Sequence, residues 1–330
     1  MERVTLEDIA KATGFSIKTI SRVVNNEKGV KEQTKEKIMK VIKEYNFSPN
    51  IFAKNLKKNK SYSIGLIVHN LTNPYMPQLI ESIEREISTT DYNILLSISD
   101  VGENSRHSCI KNMVEKMVDG IIMTNVYKEN YLDLKYLKKN KVPFVLVLNR
   151  LSGLSCNYVG ADFYMGSIKM MKYLYEKGLR KIAFIAGEPD NVSGIERLQG
   201  YKDFLHNHDM PFIDQYVEVG NFKYDGGVDA FNKLISRNKG IEAIFCVNDY
   251  TALGAIDAAK QANIKIPDDM VIVGFDDMQI ASHANIKLTT MRIPILKMAQ
   301  EAVSILFNQM NNEKARYKKV ILNTELIIRN

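Results

Sequence analysis

Val4-Thr5-Leu6-Glu7-Asp8-Ile9-Ala10-Lys11-Ala12-Thr13-Gly14-Phe15-Ser16-Ile17-Lys18-Thr19-Ile20-Ser21-Arg22-Val23-Val24-Asn25 lies at the start of the chain, and its spacing decides how the first domain folds. Thr5 and Asp8 stand three apart, the spacing of a capping box, and Leu6, Ile9, Ala10 and Thr13 then share one helical face. A first helix is expected over about 6–13. Gly14 sits where a helix ends in a left-handed residue, and Ser16 is a good N-cap for a second helix. At 100° per residue, Ile20, Val23 and Val24 fall on one side of that helix, while Ile17, Lys18, Ser21 and Arg22 fall on the other. The second side is too polar to be core. Ile38, Val41, Ile42 and Tyr45, at i, i+3, i+4 and i+7, mark a third helix.

Two helices joined by a three- or four-residue turn, the second showing a cationic face, form a helix-turn-helix. In that motif the second helix enters the DNA major groove. Lys18 and Arg22 can donate to guanine O6 and N7, Ile17 can meet a thymine methyl, and Ser16, Thr19 and Ser21 can hold phosphates. Charge agrees. Residues 1–60 carry 14 Lys and Arg against 7 Asp and Glu, whereas residues 61–330 balance at 31 against 31. The whole excess of the formal +7 lies in the head, as expected for a segment that meets a polyanion. The competing reading of the three helices is a small docking module for another protein.

The quoted stretch resembles the head of lac repressor/gal repressor family regulators, and the likeness continues through Lys35-Glu36-Lys37-Ile38 and Tyr45-Asn46-Phe47-Ser48-Pro49-Asn50. The resemblance implies that Ile17, Lys18 and Arg22 read bases. Independently of it, Ser48-Pro49 is an N-cap followed by proline at the first helical position. The helix it starts is only about two turns long, marginal by itself in water, and needs a partner. The resemblance makes it a hinge that pairs with its dimer mate in the minor groove, with Leu56 wedged between the central base pairs. The expected DNA-facing set is therefore Thr5, Ser16, Ile17, Lys18, Thr19, Ser21, Arg22, Asn25, Asn50, Ala53 and Leu56.

From Tyr62 onward, short apolar runs alternate with helical patterns. Strands are expected at 64–68, 93–99, 120–124, 143–148, 181–186, 243–248 and 271–275, and helices at 77–88, 106–117, 166–176, 227–236 and 250–261. This alternation means βαβ units and parallel sheets. There are too many strands for one comfortable sheet, so two doubly wound lobes are expected, with a ligand between the carboxyl ends of their strands. The resemblance extends here through Asn73-Pro74-Tyr75, Gly187-Glu188-Pro189, Glu196-Arg197-Leu198-Gln199-Gly200-Tyr201, Asn248-Asp249, Gly274-Phe275-Asp276-Asp277 and Leu288-Thr289-Thr290. The fold expected is thus an N-terminal all-α helix-turn-helix head plus an α/β periplasmic-binding-protein-like core of two doubly wound lobes. The expected divisions are a head at 1–47, a hinge and linker at 48–61, and a core at 62–330. Within the core, the first lobe takes about 62–161 and 293–322, and the second about 162–292 and 323–330.

By the same resemblance, Arg197, Asn248 and Asp276 match effector contacts, Tyr75 and Met76 line the first lobe, Phe222 flanks the ligand, and Asp162 is a polar position on a crossover. On local grounds Asp249 and Asp277 read as helix caps. The chain departs from the family at Tyr75-Met76 and Asn149-Arg150, and where Leu179 follows Gly178. The effector's identity therefore stays open, with a sugar or sugar phosphate as the default and a purine or a protein corepressor as alternatives.

Other functions lack their signatures. No Gly-x-Gly-x-x-Gly follows the first strand, and Walker and Gly-x-Ser-x-Gly patterns are missing, so no enzyme and no cofactor is expected. Cys109, Cys156 and Cys246 are isolated, and His206-x-His208 reads as a solvated helix end, so no metal is expected. Met1-Glu2-Arg3-Val4 is followed by no apolar signal segment and no apolar run approaches ~20 residues, which points to a cytoplasmic protein without a membrane span. The partners expected are a pseudopalindromic double-stranded DNA operator, a sugar-like effector and a second copy in a homodimer. Ala302, Ile305 and Leu306 fit either core or dimer interface. A sugar receptor without DNA binding is the second reading, and an enzyme borrowing the fold is the third.

Overall fold

The computed structural model describes residues 4–47, 60–69, 71–99, 103–151, 153–238 and 240–329. The chain divides into two compact units, Met1–Ser61 and Tyr62–Asn330.

The first unit holds α1 (Leu6–Thr13), α2 (Ile17–Val24) and α3 (Glu32–Glu44). Thr5 and Asp8 close a reciprocal capping box at the start of α1, and Gly14 ends it at φ 72°, a left-handed conformation that costs glycine nothing. Ser16 caps α2 by accepting from the Thr19 amide. Ile9, Ile20, Val23, Ile38 and Phe47 are buried together at the junction of the three helices. That core is small, so each of its side chains carries a large share of the unit's stability.

The second unit has two parallel sheets. The first contains β1 (Ser63–Val68), β2 (Asn93–Ile98), β3 (Gly120–Thr124), β4 (Phe144–Val147), β5 (Asn157–Ala161) and a late strand, β11 (Lys319–Leu322), in the order β11-β5-β4-β3-β1-β2. Its helices are α4 (Tyr75–Ile87), α5 (Glu103–Glu115), α6 (Tyr131–Lys139) and α11 (Ile295–Asn311). The second sheet, in the order β7-β6-β8-β9, contains β6 (Ile182–Ala186), β7 (Val217–Val219), β8 (Ala243–Cys246) and β9 (Val271–Val273). It carries α7 (Phe163–Glu176), α8 (Val192–Asn207), α9 (Tyr224–Arg237) and α10 (Asp249–Gln261). The central strands are continuous apolar runs because helices cover both faces of each sheet.

A short antiparallel pair, β10 (Thr290–Arg292) with β12 (Glu325–Ile327), lies where the chain passes between the lobes. Asp277 ties this region together, accepting from Arg292 Nε at 2.7 Å and Arg329 Nη2 at 2.6 Å. Ala302, Ile305 and Leu306 are buried in the core, which settles their role within this chain. Asp249 and Asp277 cap no helix. Asn248 caps α10 instead, and Asp249 accepts from the Met278 amide and the Thr290 hydroxyl.

Candidate functional site: a basic helix face and a cleft between lobes

On α2 the residues divide by burial as their spacing requires. Ile20 and Val23 turn inward, while Ser16, Lys18 and Arg22 are exposed and Ile17 is 45% exposed despite being apolar. An exposed isoleucine between exposed cations is costly unless something covers it, and a groove floor with thymine methyls is one such cover. Arg22 is held only loosely, 3.9 Å from Glu27, so its guanidinium is available. Ser16 and Thr19 share a hydroxyl contact at 2.9 Å, and Asn25 donates to Ser21 at 3.3 Å, which arranges the polar rim of the face. Thr5 is engaged in its own capping box and acts first as a structural residue. Asn50, Ala53 and Leu56 lie outside the described residues.

In the second unit a cavity of about 90 Å³ opens at the carboxyl ends of both sheets. Doubly wound folds bind ligands there because strand order reverses and the loops diverge, here on either side of β1 and β3 and of β6 and β8. Tyr75 and Met76 come from the amino end of α4, Arg197 from α8, Phe222 from the loop after β7 and Asp276 from the loop after β9, and all five line the cavity. Small-molecule pockets start at ~300 Å³. A ligand the size of a sugar therefore has to part the lobes to enter.

At the floor, Arg197 is 3% exposed and Asp276 5%. Arg197 donates through Nη1 to the Val247 carbonyl at 2.6 Å and through Nη2 to Asp276 Oδ1 at 3.1 Å, and its carbon Cζ lies 4.1 Å from the Phe275 ring centre and 4.7 Å from that of Phe163. Burial pushes the Asp276 carboxyl up to about 7, against the pull of the Arg197 charge and of hydrogen bonds from Arg197 and Asn248. Burial likewise lowers the Arg197 guanidinium. Two polar atoms here, Arg197 Nε and Tyr75 Oη, are buried without a hydrogen-bond partner. Such groups cost ~1–3 kcal/mol each when left unsatisfied, so a hydroxyl-bearing ligand that reaches them gains directly.

The cleft also holds strained backbone. Phe222 sits at φ 59° and Asp276 at φ 111°, conformations that L-residues with side chains rarely adopt. Phe222 is held there by its ring, which covers Gly187 so closely that a Cβ at that position would lie 2.3 Å from Cε2. The Gly187-Glu188-Pro189 motif thus begins with the one residue that lets an aromatic side chain reach the cleft.

Asp162 and Asn248, expected as effector contacts, do not line this cavity. Asp162 accepts from the Met165 amide as N-cap of α7. Asn248 is wholly buried, caps α10 through the Thr251 amide and supports Asp276 from behind. Both short polar side chains satisfy orphan helix donors instead.

Residues not singled out from sequence complete the wall. Tyr127, just past β3, donates to Glu188 Oε2 across the cleft at 2.9 Å. Buried Arg106 lies under the Tyr127 ring and donates to Ser99 Oγ and the Thr124 carbonyl. Two further contacts join the lobes: Arg150 with Glu196 at 3.1 Å, and the Ser193 amide with Asn149 Oδ1 at 3.2 Å. Their signal in the sequence is position alone, immediately after the expected strands 120–124 and 181–186.

Among the described residues there is no cluster able to hold a metal, and no helix is long and apolar enough to cross a membrane. Residues 5–50 match the pattern of bacterial regulatory proteins of the lacI family, and residues 171–330 match a periplasmic binding protein-like domain. The HTH-type transcriptional regulator MalR of Clostridium butyricum is 33% identical over 99% of this chain and 98% of its own. The chain belongs to the lacI family of bacterial transcriptional regulators. A CelR–cellobiose complex is similar over 99% of both chains, with 27% identity and a TM-score of 0.76. A lac repressor dimer bound to operator and an anti-inducer has a TM-score of 0.90 over 99% of this chain and 98% of its own, at 24% identity, a likeness of fold. This lacI-family chain is therefore a DNA-binding transcriptional regulator with a ligand-binding core.

Proposed function

We propose that the protein is a homodimeric, cytoplasmic repressor whose operator affinity is set by a sugar-like effector bound between the two lobes, and that it performs no chemistry on that effector. The observation that carries the effector reading is the convergence of Arg197, Asp276 and Tyr75 on one cavity, with Arg197 Nε and Tyr75 Oη unpartnered. Tyr75, Met76, Arg197 and Phe222 are the direct contacts in this reading, and Asn248 and Asp162 act as supports. The relative in complex with cellobiose supports the ligand class. In the head, Ile17, Lys18 and Arg22 read bases, Ser16, Thr19, Ser21 and Asn25 set the phosphate rim, and Asn50, Ala53 and Leu56 serve the hinge. A second copy has a surface to cover: Leu96 and Ile98, on the edge strand β2, are 42% and 46% exposed.

Control follows from linkage. An effector that favours one degree of lobe closure changes DNA affinity by its differential affinity for the two closures, and DNA changes effector affinity by the same factor. A coupling of ~1–3 kcal/mol gives roughly 5- to 150-fold control. The test is selection of bound sequences from a random DNA pool by the full chain, with and without a sugar library. An enriched pseudopalindrome whose binding is altered by one sugar, recovered chemically unchanged, is the expected result. Folded protein that enriches no sequence under any condition would refute the operator reading and favour a sugar receptor.

A further inference from the structure

Three helices begin at the mouth or floor of the cleft: α4, α8 and α10. A helix amino end is the commonest ready-made phosphate cradle in folds of this type, because its free N–H groups and dipole favour an anion. Here each end is already filled by an asparagine. Asn73 Oδ1 accepts from the Tyr75 amide at 3.0 Å and the Asn73 carbonyl accepts from Met76. Asn191 Oδ1 accepts from the Gly194 amide at 3.1 Å and from Ser193 Oγ at 2.7 Å, while Asn149 takes the Ser193 amide. Asn248 Oδ1 accepts from the Thr251 amide at 2.9 Å.

The charged side chains point the same way. Arg197 is the deep cation of the wall, and its Nη donors are committed to Asp276 and a carbonyl. Lys223 is exposed to solvent and is screened there. Against them stand Asp276 and half-buried Glu188, whose Oε2 already accepts from Tyr127 and whose remaining lone pairs accept from hydroxyls. His69 completes this side of the wall, its ring edge-on to Tyr127 at 6.1 Å between centroids. A phosphate ester entering here meets two carboxylates, an arginine already shared and no open helix end.

We propose that the cleft selects an uncharged polyol, a free mono- or disaccharide, and excludes the corresponding phosphate esters through its asparagine-capped helix ends and Glu188. This rests on the cleft being the effector site. Hydroxyls of the sugar accept from Arg197 Nε, pair with Tyr75 Oη and donate to Glu188, and Phe222 packs on the ring face.

The test is calorimetric titration of the full chain with matched pairs: glucose and glucose 6-phosphate, cellobiose and its 6-phosphate, maltose and its 6-phosphate. At least one parent sugar binds, and its ester binds roughly 100-fold more weakly, the loss expected when a dianion is placed beside fixed carboxylates without a partner. Glu188→Gln removes one of those charges while keeping the side-chain shape, and narrows the gap by about tenfold. An ester that binds as tightly as its parent overturns the proposal, as does a ratio unmoved by Glu188→Gln or a panel in which no parent sugar binds. Failure of the site itself reads differently: a sugar that binds Arg197→Met as tightly as the unaltered protein places the ligand outside the cleft.

Discussion

Replacing Arg197 by methionine removes the cation from a pair whose side chains are 3% and 6% exposed and 3.1 Å apart. Breaking a buried pair from one side costs ~3–5 kcal/mol, because the remaining charge has no solvent and no partner. The carboxyl of Asp276 already titrates at about 7 with its partner present, and the Arg197 charge is what holds it down. Without the guanidinium it becomes neutral at neutral pH and sheds part of that penalty, so the cost falls at the lower end, ~3 kcal/mol. For a unit of this size that lowers the melting temperature of the core by about 6–12 °C. The α1–α3 head shares no side chain with this pair, and its melting is unaffected. Adding Asp276→Asn to Arg197→Met changes stability little further, since the carboxyl is already protonated there, whereas Asp276→Asn alone strands the guanidinium. Thermal unfolding followed by circular dichroism measures all three, and titration with the selected effector measures function. Effector binding falls at least 100-fold in each variant on the reading that Arg197 and Asp276 form the floor of the site. A melting temperature within about 2 °C of the unaltered protein, or effector affinity retained in Arg197→Met, would refute the reasoning.

Other outcomes follow from the same geometry. Arg22→Ala costs ~1–3 kcal/mol of operator affinity and relaxes preference at particular base pairs; an equal loss on every sequence would reassign Arg22 to the phosphates. Ile20→Ala, in a head with few core residues, costs ~2–5 kcal/mol and melts the head first, so operator binding fails on warming while effector binding persists. Simultaneous loss of both activities in that variant would show that the head is not an independent unit. Between about pH 6 and 8 effector affinity rises as Asp276 ionises against Arg197, and Asp276→Asn removes that slope. Stability runs the other way. A carboxyl raised from 3.8 to about 7 on folding binds its proton more tightly in the native state. Its contribution is greatest below about pH 4 and is lost as pH climbs through 7, and Asp249, also raised by burial, adds in the same direction.

The head was legible in the sequence because its signals are local. A capping box, a left-handed glycine and a serine N-cap each act within four residues, and all three stand as read. The central strands were legible because burial on both faces leaves apolar runs. β5, Asn157-Tyr158-Val159-Gly160-Ala161, was not read as a strand: an asparagine and a glycine dilute the pattern, and pairing with β4 and β11 supplies what propensity lacks. In the cleft, Tyr75, Met76, Arg197, Phe222 and Asp276 came from family register and meet as expected. Asp162 and Asn248 did not, because a short polar side chain before a helix serves the helix as readily as a ligand. Tyr127 and Glu188 carried no local signal at all, being brought together from 61 residues apart by the meeting of two lobes.

β11 pairs with β5 through Lys319↔Tyr158 and Leu322↔Ala161. Between those partners the chain builds the entire second sheet. During synthesis at ~5–20 residues per second, β5 therefore waits roughly 8–30 s with one backbone edge uncovered while the other lobe is made. An unpaired edge is a template for other chains, and contacts so distant in sequence form slowly. The first sheet of this regulator is thus the last to be completed, and the cell meets an unfinished edge each time the protein is made.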